Sequence, residues 1–308
     1  MHVLSYIIRR LGGALAVLFG ISIVTFILAY AVPSDPARMI AGPKASLATI
    51  MAIRHQLGLD QPMYVQYVRY IWRLLHLNLG MSYVYNLPVT TLIAQRFWPT
   101  ASLALSAWIA ELVIGIPLGI YTARRARRIG DYIVSILALV GISLLIPWLG
   151  IVLLYWFGFK IPIFPLGGTG GITHLILPAL TYGITGAAAY TRLLKSSMLE
   201  VLRQDYVRTA RAKGAAESRV VNRHVIRNAL IPVITYGGID VGYLLGGVVL
   251  LEVTFNWNGL GILAYNAISE SDIPVIMGTV LLTALLVVLF NLLVDIVYVF
   301  VDPRIRYS

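Results

Sequence analysis

The chain has 308 residues, of which 59% are hydrophobic and 12% charged, with no cysteine and a formal net charge of +11. A soluble domain carries roughly 25% charged residues, so this composition excludes an ordinary soluble protein. The absence of cysteine excludes disulfides, thiolate catalysis and cysteine metal sites. The apolar residues form blocks of about 18 or more, long enough to cross a hydrocarbon core as helices. Repeats of about ten alternating residues, as in a membrane β-barrel, do not occur. The class is an all-α polytopic membrane protein.

Six spans are predicted in chain order: Leu11 to Val32, Thr100 to Thr122, Tyr132 to Phe157, Leu175 to Leu194, Leu230 to Leu251, and Pro274 to Val301. The first follows Arg9 and Arg10 and resembles a signal peptide, but its apolar stretch exceeds the usual 7–15 residues or so, so it reads as a span. Its domain organisation is residues 1–98, a first span plus a helical outer segment, followed by a core at 99–308. An inner loop at 195–228 belongs to that core.

Orientation follows from lysine and arginine, which concentrate on cytoplasmic loops. Most of the 24 basic residues fall in Arg9–Arg10, Arg124–Arg128, Arg192–Arg227 and Arg304–Arg306. Those segments share one side if both termini are cytoplasmic. Because the charge sits at the ends of apolar blocks, it reads as a topology signal and not as a nucleic-acid surface.

In the outer segment, Leu47, Ile50, Met51 and Leu57 recur at near-helical spacing, and Val65, Val68, Ile71, Trp72 and Leu75 do so after Pro62. These helices are expected to rest on the spans or in the membrane interface, with docking of an external partner as the alternative. In the inner loop, Met198, Leu202, Tyr206 and Ala210 fall at i, i+4 spacing, predicting one continuous helical face. Gly214 stands where a left-handed cap ends a helix, and a second helical run, Val220 to Leu230, leads to Pro232. A basic amphipathic stretch can also simply hold anionic headgroups, so membrane lipid is an expected partner in either case.

The run Asp205-Tyr206-Val207-Arg208-Thr209-Ala210-Arg211-Ala212-Lys213-Gly214, then His224-Val225-Ile226-Arg227-Asn228-Ala229-Leu230-Ile231-Pro232, resembles the cytoplasmic loop of binding-protein-dependent ABC permeases. Arg208-Thr209-Ala210 stands where that family usually has Glu-Ala-Ala, a departure similar to its dipeptide/oligopeptide branch. Arg9-Arg10-Leu11, Pro33-Ser34-Asp35-Pro36, Leu57 to Pro62, Leu79 to Ser82, Gly259-Leu260-Gly261 and Asp302-Pro303-Arg304 agree in order. Ser34 and Asn258 depart from the glycine and proline usual at those places.

The resemblance implies a type I ABC importer permease fold with six transmembrane helices, in the cell membrane of a prokaryote. It implies half of a pathway for dipeptides or oligopeptides, with nickel complexes or oligosaccharides as alternatives. The implied partners are a second homologous permease, two ATPase subunits and an extracytoplasmic substrate-binding protein. ATP and magnesium would reside on the ATPases and no cofactor on this chain. Tyr206, Arg208, Thr209, Ala210, Arg211, Ala212, Lys213 and Gly214 are then the expected contact with the ATPase.

No phosphate-binding Gly-x-x-x-x-Gly-Lys-Ser/Thr, zinc-binding His-Glu-x-x-His or Gly-x-Ser-x-Gly motif occurs. Glu111, Asp240 and Asp295 fall within or at the edge of spans. Intramembrane acids are functional candidates, and Glu111 and Asp240 are the candidates for the pathway. They are also the one hint of an ion-coupled secondary transporter. Glu252, Asn256, Trp257 and Asn258, between the last two spans, are expected either to anchor helix ends or to form an outer gate or binding-protein contact. Glycine-rich faces on the fourth and fifth spans are expected at the contact with the second permease.

Overall fold

The computed structural model describes residues 2–31, 36–42 and 44–301. Pro33, Ser34, Asp35, Asp302, Pro303, Arg304 and Arg306 lie outside the described residues, as do the side chain of Asp295 and the surroundings of Gly246 and Gly247. The helices are α1 (His2–Ala31), α2 (Pro36–Ala41), α3 (Leu47–Leu57), α4 (Met63–Leu75), α5 (Val89–Arg124), α6 (Ile129–Ser143) and α7 (Ile146–Leu153). A π-helical turn, Leu154–Lys160, precedes α8 (Ile172–Val201), α9 (Asp205–Ala212) and α10 (Glu217–Arg219). A second π-helical run, Val220–Ile226, leads into α11 (Arg227–Gly247), α12 (Val249–Thr254), α13 (Leu260–Ser269) and α14 (Ile273–Val301).

Among the described residues, five helical stretches, in α1, α5, α8, α10–α11 and α14, are long and apolar enough to cross a membrane. The expected third span is a bent element instead of a single rod: α6 and the α7 segment meet at 103°. Leu144 and Leu145 are extended, with ψ of 133° and 126°. Pro147 follows in the first turn of α7, where its missing N–H breaks no helical bond. The fourth span runs past the expected Leu194 to Val201. The expected division at 98 falls inside α5, which continues unbroken through Pro99 and Pro117.

α5 and α8 form the centre of the fold, and glycine brings them together. A Cβ on Gly115 would stand 2.8 Å from the Ala187 carbonyl oxygen, and one on Gly183 would stand 2.6 Å from Ala110 Cβ. Small residues of this kind let helix backbones approach where no hydrophobic drive separates protein from lipid. The glycines of the fourth span, expected at a contact with another permease, are therefore occupied inside this chain.

In the outer segment the apolar stripe of α4 is not the packed one. Val68, Trp72 and Leu75 are exposed. The opposite face carries Tyr67 and Tyr70, which meet Phe26 of α1 at ring-centroid distances of 5.2 and 5.8 Å. Tyr67 and Ser22 share a hydrogen bond of 2.9 Å. Tyrosine rings bury a large apolar area and carry a polar handle, here the Tyr67 hydroxyl that reaches Ser22 of α1. Further along, Asp272, fully buried at the start of α14, holds the turn before α5. It accepts from the Ser82 hydroxyl at 2.5 Å and from the Tyr83 and Val84 amides at 3.2 and 3.3 Å.

Candidate functional site

The inner loop is built around a short helix. α8 ends at Val201, and Gln204 is extended (φ −70°, ψ 146°), so α9 starts a new axis at Asp205. Asp205 in the first turn favours the positive end of the helix dipole. The continuous face predicted from Met198 through Ala210 is thus interrupted. Met198 is fully buried in α8, while Tyr206 is 44% exposed. Val207, which that pattern passed over, is the residue of α9 that faces inward. It is fully buried with Leu194, Met198, Val220, Val221 and Val225.

The helix ends in a complete glycine cap. The Gly214 amide donates to the Arg211 carbonyl (2.9 Å) and the Ala215 amide to the Ala210 carbonyl (3.3 Å). Gly214 has φ of +77°, a conformation that costs a residue with a β-carbon roughly 1–2 kcal/mol. Arg211 then closes the loop on itself through two bonds to Glu217, 2.7 and 3.0 Å. Arg208 lies 3.6 Å from Asp205. Two of the three cations expected to meet a partner therefore have acids within the loop.

Thr209, Ala212, Lys213 and Gly214 are exposed, and Ala210 is half-buried. This leaves an outer face of small side chains on a helix whose inner face is fixed by Val207. Three further contacts connect the loop to the long helices. Asn228 donates to the Tyr206 hydroxyl at 3.0 Å, and Arg124 at the end of α5 donates to Asn222 at 2.7 Å. Lys195 of α8 pairs with Asp131 of α6, which also accepts from the Arg127 amide at 3.0 Å. Nothing in the basic character of these segments pointed to Asp131 or Val207.

The two intramembrane acids come together. Glu111 of α5 is 1% exposed, and its carboxyl lies beside that of Asp240 of α11. Tyr190 of α8 donates to Asp240 at 2.7 Å and accepts from the Trp108 indole at 3.1 Å. Glu111 Oε2 is buried with no hydrogen-bond partner among the described residues. Gly186 makes the space for it: a Cβ there would collide with Glu111 Oε1. The arrangement joins three helices through polar groups, which in an apolar medium is a strong constraint on their relative positions.

The outer loop is different in character. Glu252 is fully buried and accepts from the Thr100 hydroxyl at 2.6 Å and the Ile262 amide at 3.0 Å. Trp257, 2% exposed, donates its indole N–H to the Pro99 carbonyl at 2.9 Å. Both fix the start of α13 to α5. Asn256 and Asn258 are exposed, so of the residues expected at an outer contact, only these asparagines present a free surface within this chain.

Residues 115–307 match the family described as the binding-protein-dependent transport system inner membrane component, and residues 3–104 match its N-terminal companion. The glutathione transport system permease protein GsiC of Escherichia coli O6:H1 is 41% identical over 305 residues, covering 99% of this chain and all of that protein. GsiC of Salmonella paratyphi A is 42% identical over the same coverage. A structure of inward-facing conformations of the MetNI methionine ABC transporter aligns with TM-score 0.58 and 21% identity, covering 68% of this chain and 96% of that one. The bent α6–α7 element, the α5–α8 centre and the capped surface helix belong to a transport component, and the chain is a member of the binding-protein-dependent transport system inner membrane permeases.

Proposed function

We propose that this chain forms one half of the membrane pathway of an ATP-driven importer for short peptides of the glutathione type. A second permease forms the other half, two ATPase subunits bind ATP and magnesium on the cytoplasmic side, and an extracytoplasmic binding protein delivers the substrate. Both termini lie in the cytoplasm, which puts α9 on the side where ATP is. Full-length identity to glutathione permeases supports the substrate class.

α9 and Gly214 make the contact with the ATPase. One observation carries this reading: α9 is exposed on its small-residue face and buried at Val207 in a cluster shared by α5, α8 and α11. A force applied to the exposed face therefore reaches three long helices without passing through a flexible linker. Close packing transmits such displacements because an interior at native density has little slack.

Gly214→Asp tests the assignment. A Cβ at Gly214 meets no atom within 4 Å, so the variant folds with only backbone strain and adds a negative charge to the contact. Membrane insertion and binding-protein affinity are expected to be normal, while substrate-stimulated ATP hydrolysis and uptake are lost. Wild-type uptake by an assembled complex carrying Gly214→Asp contradicts the assignment.

A further inference from the structure

Glu111 sits within α5, about 20 Å along the helix from its end at Arg124. Its carboxyl packs on the backbone of α8 at Gly186, on the helix face that presents Tyr190 one turn later. Tyr190 donates to Asp240 of α11 and accepts from the Trp108 indole of α5. Gly237 of α11 backs onto both donors: a Cβ there would stand 3.4 Å from the Tyr190 hydroxyl oxygen and from the Trp108 nitrogen. Two carboxyl groups are thus held side by side where three spans meet.

The groups around the pair bring no positive charge. Tyr182 and Tyr190 face it from α8, Tyr236 from α11 and Trp108 from α5. α14 meets α11 on the other side of that helix, where Phe290 packs on Gly242. Among the described residues no lysine, arginine or histidine bonds to either acid, and no third acid or histidine joins them. Two adjacent carboxylates in so apolar a place cannot both keep a negative charge. Their surroundings decide which one does. Asp240 is half-buried and receives the Tyr190 hydroxyl, a donor of the kind an ionised carboxylate needs. Glu111 is 1% exposed, and its Oε2 has no donor. A buried acid without a donor is satisfied by carrying its own proton.

We propose that Glu111 and Asp240 form a binding site for one proton, carried by Glu111 and donated to the Asp240 carboxylate. Asp240 then accepts from Glu111 on one side and from Tyr190 on the other, and these bonds tie α5, α8 and α11 at one point. Trp108, by donating to Tyr190, strengthens the bond that Tyr190 makes in turn. The site holds a single negative charge instead of two. Removing the proton sets like charges against each other and pushes α5 away from α11, so the proton acts as a structural ligand of the bundle. The inference is independent of the substrate, of the orientation in the membrane and of how α9 acts.

Infrared spectroscopy of the complete complex in lipid bilayers at neutral pH tests the site. A protonated carboxylic acid has a carbonyl stretch well separated from the carboxylate bands. Subtracting the spectrum of the Glu111→Gln complex from that of the wild type is expected to leave one such band. Glutamine keeps an N–H donor for Asp240, so this variant is expected to assemble. Asp240→Asn replaces a charged acceptor by a weaker, neutral one and is expected to displace the Glu111 band. Wild-type complex made with glutamate isotopically labelled at its side-chain carboxyl carbon needs no substitution, and its acid band is expected to shift.

A difference spectrum without an acid band, or a wild-type complex in which labelled glutamate moves none, overturns the site. A Glu111 band unmoved by Asp240→Asn means that the proton does not face Asp240, and overturns the pairing. Carboxylate bands in place of the acid band, shifting when sodium is added, assign the site to a metal cation and overturn the proton.

Discussion

Asn228, at the foot of α11, donates a hydrogen bond of 3.0 Å to the hydroxyl of Tyr206 on α9. The bond spans 22 residues of sequence and closes the inner loop at its open end, opposite the Arg211–Glu217 pair. Together with Val207 beneath it, this makes α9 a rigid projection of α8 and α11. Under the role proposed for α9, this holds its exposed face in a fixed position.

Val207→Ala removes two methyl groups from a fully buried position. A cavity there costs about 2 kcal/mol and loosens α9 from the cluster. The expected outcome is an assembled complex with basal ATP hydrolysis retained but uptake per ATP reduced several-fold. Unchanged uptake per ATP would show that α9 is not driven through Val207.

Tyr206→Phe removes the hydroxyl but keeps the ring. An exposed hydrogen bond contributes about 1 kcal/mol, so melting of the purified complex should shift little. Asn228→Ala also removes the bond from Asn228 to the His224 carbonyl (2.8 Å), so the double variant should lose less coupling than the sum of the two single losses, because the shared Tyr206–Asn228 bond is broken only once. Fully additive losses in the double variant would mean that the two residues act separately.

Lys195 and Asp131 join α8 to α6 away from solvent, with 24% and 7% side-chain exposure. Removing Lys195 leaves the Asp131 carboxylate with only the Arg127 amide and the Ser135 hydroxyl as donors, a loss of about 1–3 kcal/mol. Lys195→Met should therefore lower thermal stability in detergent sharply, and Lys195→Met with Asp131→Asn should recover part of it. A double variant as unstable as the single one would show that the ion pair is not what Lys195 contributes.

In the loop between α12 and α13, Trp257→Ala exposes the Pro99 carbonyl and empties a packed site, so it should destabilise the protein by about 3–5 kcal/mol as well as impair transport. Asn258→Ala, at an exposed residue, should leave stability unchanged. Binding-protein affinity lowered by Asn258→Ala alone, at constant stability, supports an outer contact at this loop. Equal affinity in that variant places the loop's role in holding α13 to α5.

The sequence made much of this legible, and the remainder is hidden for physical reasons. Long apolar blocks define the spans because a membrane accepts few alternatives to a helix. The glycine at 214 announces its turn because only a residue without Cβ enters that region freely. The bend before Pro147 was not legible, since a proline in a span more often kinks a helix slightly than turns it by a right angle. The helical period from Met198 to Ala210 misled because the break at Gln204 resets the phase, moving burial from Tyr206 to Val207. Asp131, Asp272 and Glu252 find partners 64, 190 and 152 residues away, and no local pattern carries such pairings. Glu111 and Asp240 could each be singled out as acids in apolar spans, but their meeting depends on how α5, α8 and α11 pack.

The most direct test of the account is a cross-link from α9. The chain contains no cysteine, so a single Thr209→Cys on the exposed face of α9 introduces one reactive position. In the assembled complex in lipid bilayers, a short bifunctional thiol reagent should join this cysteine to an ATPase subunit carrying single cysteines along its membrane-facing groove. The yield should change when ATP closes the ATPase pair. No cross-link from Thr209→Cys to the ATPase in a complex that transports normally, with the same cysteine labelled freely in the presence of ATP, would contradict the assignment of α9 as the coupling element.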